Sequence, residues 1–179
     1  PNAERLANWA YGFLVLGVGK NIIEARQPVV VERKGTRLGF LAYNSVLWPG
    51  YWAEANWAGC APMRAHTLYE QVKLDEPGTP GRIHTFANRQ DLEAMLENIR
   101  KLRAEVDILV LSLHWGLSFV PVALADYQKE VGYAAIDAGA DLILGHHAHI
   151  LKGIDMYKGK VIFYSLGNFA FDSSHGREH

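Results

Sequence analysis

The chain has 179 residues, 49% hydrophobic and 21% charged, the balance of one folded domain with a sizeable core, which excludes wholesale disorder. Lys plus Arg number 18 against 19 for Asp plus Glu, so the net charge of -1 offers neither the basic excess of a nucleic-acid binder nor an acidic tail. A single cysteine, Cys60, excludes an internal disulfide framework. No apolar run approaches the roughly 18 residues of a membrane span.

The opening Pro1-Asn2-Ala3-Glu4-Arg5 has no signal-peptide character and no initiating Met, so a segment of a longer protein is expected. Residues 13–16 (Phe-Leu-Val-Leu) predict a short buried strand ending at Gly17-Val18-Gly19. A dinucleotide-binding loop would need its third glycine at position 22, which is Ile22, so a tight strand-to-helix turn is expected instead. Residues 22–26 predict one helical turn, stopped before Pro28. Val29-Val30-Val31 and Leu38 to Tyr43 predict two strands around Lys34-Gly35-Thr36. Residues 47–82 read as a long irregular loop holding Trp48, Tyr51, Trp52, Trp57 and Tyr69. Its aromatic faces could stack on sugar rings and Arg64 could meet an anion, although a self-packed loop is the simpler expectation.

Asn88 is a good N-cap, with Asp91 three residues on as its capping partner. Leu92, Met95, Leu96, Ile99 and Leu102 then repeat at helical spacing. Asp107 to Leu113 is a continuous apolar run, as in strands buried on both faces. A second helix is expected over about 124–138, with Gly139 after its end. Asp141 to Leu144 is another buried strand. Leu151 to Met156 and Val161 to Tyr164 predict a hairpin around Tyr157-Lys158-Gly159-Lys160.

The histidines are the most specific feature. One buried strand runs straight into His114-Trp115-Gly116, and the next runs into Gly145-His146-His147-Ala148-His149. Strand, helix, strand implies a parallel βαβ unit, so both segments leave from the carboxyl edge, where open α/β sheets place ligands. In an extended segment His147 and His149 point to one side, as a chelating pair, and His146 points to the other. A lone strand-end histidine is usually a packed, hydrogen-bonded residue. Three converging imidazoles instead suit a metal that activates water. His66, His84, His175 and His179 lie in loops or at the terminus and are expected to be solvated. Asn168 and Asp172 follow the last strand, in an ordinary turn and a solvated end.

The run from Asp107 to Asp172 resembles the CapA family of capsule-synthesis proteins, linked to poly-γ-glutamate, within the calcineurin-like metallophosphoesterase superfamily. The resemblance rests on Ser112-Leu113-His114-Trp115-Gly116, Ile136-Asp137-Ala138-Gly139-Ala140-Asp141, Gly145-His146-His147-Ala148-His149 and Tyr164-Ser165-Leu166-Gly167-Asn168-Phe169. Upstream, Gly17-Val18-Gly19-Lys20-Asn21, Glu24-Ala25 and the strand from Gly39 to Tyr43 also fit.

The resemblance implies an α/β fold, part of a four-layer αββα sandwich with a mixed sheet and a C-terminal hairpin. Residues 1–179 would form one domain lacking its N-terminal portion. It implies a metal-dependent, phosphoesterase-like site. His114, His147 and His149 would be metal ligands, and His146, Trp115 and Asn168 second-shell or substrate residues. Two divalent ions (Mn, Fe or Zn) would occupy the complete domain. The implied partner is an anionic polymer or a phosphate-containing small molecule, not nucleic acid, in a bacterial cell envelope.

The chain departs from the family pattern in lacking its Gly-Asp motif, further acidic residues and an Asn-Asn-His motif. Leu6-Ala7-Asn8 is followed by Trp9-Ala10, Ser118 stands at a frequently acidic place, and Ala148 stands at a frequent Pro. With no acidic bridge, the chain itself is expected to bind about one metal weakly and to hydrolyse little. A polymer-binding or assembly module on the same fold is the alternative.

Overall fold

The computed structural model describes residues 16–168. Most of the strand expected over 13–16 lies outside them, as do Leu6-Ala7-Asn8, Asp172, His175 and His179. Two short elements open the described chain, β1 (Val18–Gly19) and α1 (Ile22–Ala25), where Asn21 caps the helical turn by accepting from the Ile23 and Glu24 N–H groups. β2 (Val29–Arg33) and β3 (Thr36–Asn44) follow, joined by Lys34-Gly35 with φ of 51° and 78°. Two successive positive φ values give the turn twist that right-handed antiparallel strands need.

The stretch from 47 to 82 is less irregular than expected. It contains β4 (Gly59–Cys60), which pairs with β1, and β5 (Ala65–Glu70), which pairs antiparallel with β6 (Arg82–Ala87). Alternation does not mark β5 because all its residues after Ala65 are exposed, so neither of its faces reads as buried.

Asn88 caps α2 (Arg89–Arg103), accepting from the Asp91 N–H at 3.1 Å. Leu92, Met95, Ile99 and Leu102 form its buried stripe. Asp91 does not close a capping box as expected. It is buried and accepts from the Arg64 Nε and Nη2 at 2.6 and 2.9 Å, which gives Arg64 a partner within the fold, in keeping with the self-packed reading of this segment. β7 (Ile108–His114), α3 (Asp126–Ala138) and β8 (Leu142–His146) form the βαβ unit. The hairpin of β9 (Ile154–Tyr157) and β10 (Lys160–Phe163) turns at Lys158-Gly159, with φ of 50° and 76°.

Six strands form one mixed sheet in the order β2-β3-β7-β8-β10-β9. The central four are parallel and the two edge strands antiparallel to their neighbours. Because side chains alternate along a strand, the register sorts the sheet into two faces. Leu41, Leu111, Ile143 and Ile162 align across four strands and are all buried on one face. On that face Leu102 and Val106 approach Gly39, and Gly132 of α3 lies against Ile162, so α2 and α3 cover it. Fully burying each such side chain contributes about 1.5–3 kcal/mol. The opposite face aligns Phe40, Val110, Leu142 and Val161, then Ala42, Ser112, Leu144 and Phe163, then Asn44, His114 and His146 at the carboxyl edge. No described helix packs on it as α2 and α3 pack on the first.

Candidate functional site

β7 and β8 are direct parallel neighbours, with His114 in register with His146. His146 therefore shares the sheet face of His114. The chains leaving these strands are then tied to one another. The Trp115 N–H donates to the His146 carbonyl, and the Phe119 N–H donates to the Ala148 carbonyl at 2.9 Å. On the other side of β7, the Ser45 N–H donates to the His114 carbonyl, which brings the start of the aromatic segment to the same edge.

The chain turns sharply after His146. His147 and His149 have φ of 93° and 58°, in the left-handed region that non-glycine residues rarely adopt. The i, i+2 argument assumed an extended backbone, so it does not describe this segment. The rings approach through the turn instead. His147 Nδ1 lies 3.1 Å from His114 Nε2, with the ring centroids 4.7 Å apart and edge to face. His147 Nε2 lies 2.8 Å from Ser118 Oγ. The His149 ring is 6.1 Å from that of His147, and its Nδ1 is 2.9 Å from Asn168 Oδ1. Phe119, itself at φ 55°, stacks on His149.

Burial, and after it the neighbouring imidazoles of His147, His146 and His149, lowers the His114 pKa from 6.5 to about 4. Burial lowers His146 too, and burial with the nearby His149 lowers His147. These three rings are thus neutral near pH 7 and keep an unprotonated nitrogen, the form that a metal requires.

The pair His114 and His147 fits a shared ion. Two nitrogens bound at about 2.0–2.1 Å to one metal stand about 3.0–3.4 Å apart, and these two stand 3.1 Å apart. His149 stands outside this pair. Among the described residues, no three His, Cys, Asp or Glu side chains converge as a complete donor set.

Trp115 lies in the core. It is fully buried, stacks on Tyr164 and donates its indole N–H to the Tyr164 carbonyl at 3.0 Å. Asn168 holds His149, as a residue behind a ligand would. Asp155, an acidic residue of the hairpin, accepts from the Tyr133 and Tyr164 hydroxyls at 2.7 and 3.2 Å. Ser118 and Phe119 were missed as site residues. The one signal was the spacing of Ser118, shortly after His114 at a place where an acidic residue is frequent.

A mixed sheet whose four central strands are parallel, with histidine-rich loops at their carboxyl edge, defines an α/β domain; open sheets of this kind place ligands at that edge. A family described as bacterial capsule synthesis protein PGA_cap matches residues 5–173, and the chain belongs to that family. It is 30% identical over 159 residues to the PGA biosynthesis protein CapA of Bacillus subtilis (strain 168), covering 88% of this chain and 34% of that relative. It is 29% identical over 158 residues to the capsule biosynthesis protein CapA of Bacillus anthracis, covering 88% and 32%. A third relative, named "Probable polyglutamine synthesis accessory protein", from Mycobacterium tuberculosis (strain ATCC 25618 / H37Rv), is 26% identical over 164 residues, 90% of this chain and 38% of its own. The chain thus spans about a third of the length of the curated relatives it matches.

Proposed function

We propose that this chain serves poly-γ-glutamate capsule biosynthesis and carries a metal-dependent, phosphoesterase-like site at the carboxyl edge of its sheet. The observation that carries the metal reading is the 3.1 Å approach of His147 Nδ1 to His114 Nε2, between two rings held neutral by burial. His114 and His147 would hold a divalent Mn, Fe or Zn ion, with His149 as a further ligand and Asn168 behind it. A bound ion would polarise a phosphate-type ester and supply a hydroxide. His146 lines the edge beside His114. The substrate would be an anionic polymer or a phosphate-containing small molecule, and the setting a bacterial cell envelope. The apolar face opposite α2 and α3 supports a four-layer αββα sandwich, in which a second sheet packs on that face.

One observation favours a second reading, a non-catalytic polymer-binding module: the described residues offer no complete donor set and no carboxylate joined to the histidines. Two experiments separate the readings. Elemental analysis after incubation with Mn, Fe or Zn should find about one ion per chain, lost in His114→Ala and His147→Ala. Equal metal in all three proteins would refute the metal site. Turnover of p-nitrophenyl phosphate and its bis ester, set beside poly-γ-glutamate binding, then tells enzyme from binding module.

A further inference from the structure

We propose that the cleft between α1 and α2 binds an organic monocarboxylate, with the Arg26 guanidinium meeting the carboxylate and an apolar wall holding the body of the ligand. The cleft has a volume of about 500 Å³, within the range of small-molecule sites. Its apolar wall is Ile22, Ile23 and Pro28 on one side and Leu102 on the other. It lies on the helix-covered side of the sheet, where Leu102 approaches Gly39, and shares no lining residue with the histidine cluster. The inference is independent of the metal reading above.

An unspent cation carries the proposal. The ion pair that Arg26 makes among the described residues is with Asp91, and it is long, 4.0 Å from Nη2 to Oδ1. Both Asp91 oxygens already accept from Arg64. Oδ2 takes the Arg64 Nε and main-chain N–H at 2.6 and 3.0 Å, and Oδ1 takes Nη2 at 2.9 Å. One buried carboxylate thus faces two guanidiniums, and Arg64 holds it. Arg26 Nε is buried with no hydrogen-bond partner among the described residues, so the fold leaves this head unsatisfied. The Arg26 side chain is 25% exposed and lines the cleft. A buried cation short of acceptors is costly, and a carboxylate in the cleft would give it a charge-assisted partner of matching planar shape.

The other charges of the cleft select a single negative charge. Lys101 lines it but is held by Glu97 at 2.6 Å. Glu105 lines it too, with no ion pair among the described residues, and repels a second anionic group. Ile23 is 71% exposed, so an apolar ligand body would remove its side chain from water.

The test adds sodium hexanoate to the whole chain at constant ionic strength, with hexanamide as the uncharged counterpart and inorganic phosphate as the more highly charged anion. Two-dimensional ¹H–¹⁵N spectra locate binding, and the titration gives the affinity. Hexanoate should shift the amides of α1 and of residues 98–105, and the other two compounds should not. Arg26→Gln should weaken hexanoate by about tenfold, with a ligand-free melting midpoint equal to or above that of wild type because the unspent charge is gone. Ile23→Glu adds a negative charge to the wall at an exposed position, leaves Arg26 in place and should weaken hexanoate as well. Wild-type affinity in either variant would overturn the proposal, as would hexanamide binding as tightly as hexanoate, or no shift in these amides. Phosphate binding in place of hexanoate would overturn the monocarboxylate assignment.

Discussion

His114 has a pKa of about 4 in the folded chain against 6.5 when freely solvated. Above about pH 6.5 it is neutral in both states and contributes no pH dependence. As pH falls from 6.5 toward 4, the unfolded chain binds a proton that the folded chain refuses, so stability falls with pH in that window. His146 and His147, also lowered, act with the same sign. Urea denaturation with chelator present should show the loss between pH 6.5 and 4, and His114→Gln should flatten it. An unchanged slope in that variant would remove His114 as the cause. At the same scale, His147→Ala should lower metal content more than His146→Ala, because His147 Nδ1 faces His114 Nε2 and the bond that ties His146 to the His114 strand end is through its carbonyl. Equal losses on elemental analysis would contradict the assignment. His114 and His147 were legible because each follows an apolar run that could only be a buried strand. Ser118 was not, since nothing in a loop sequence says which way a hydroxyl turns. Adjacency to His114 in sequence sends the Trp115 side chain to the opposite, core-facing side of the strand.

The elements follow their local chemistry closely where a cap or turn specifies them. Asn88, Gly139 and the two Lys-Gly turns each fall where the sequence placed them. Asn88→Ala should cost about 1 kcal/mol, read as a lower urea midpoint at unchanged slope. The hairpin of β5 and β6 was hidden because β5 is exposed on both faces after Ala65 and β6 is buried only at Ala87, so no periodicity records it. Gly145 in β8 holds a stricter requirement. A Cβ there would sit 2.2 Å from the Tyr164 carbonyl oxygen and 2.6 Å from Trp115 Nε1. Those atoms are main chain and buried indole, which cannot swing away. Gly145→Ala should therefore part β8 from the segment after β10 and abolish cooperative thermal unfolding. Gly153→Ala, with nothing within 4 Å of the added atom, should melt like wild type. Similar melting of both variants would mean that the loop after β10 yields more easily than its contacts imply.

Across the whole molecule, the parallel order and the βαβ unit were legible from alternating apolar runs and one long helix, but the asymmetry of the two sheet faces was not. A buried run such as Leu109-Val110-Leu111 reads the same whether helices or a second sheet cover its other side. That face, on which no described helix packs, ends at β9, the last described strand of the sheet, where Ile154 and Met156 are 67% and 71% exposed. Apolar side chains beside unpaired backbone groups favour self-association. Sedimentation velocity should show the chain associating as concentration rises, and the double variant Ile154→Lys, Met156→Lys should reduce it. A wild-type chain that stays monomeric throughout would show that this edge is already protected.

The order of the strands also sets when the site comes into being. The contacts among His114, Ser118, His147, His149 and Asn168 join positions 33, 29 and 19 residues apart, and none forms within a single element. Parallel pairing of this kind requires chain closure before any contact rewards it, which makes its assembly slow. During synthesis His114 waits for β8, and His149 waits for Asn168 to follow β10. The cluster therefore forms only after these strands have paired, and it follows their assembly rather than guiding it.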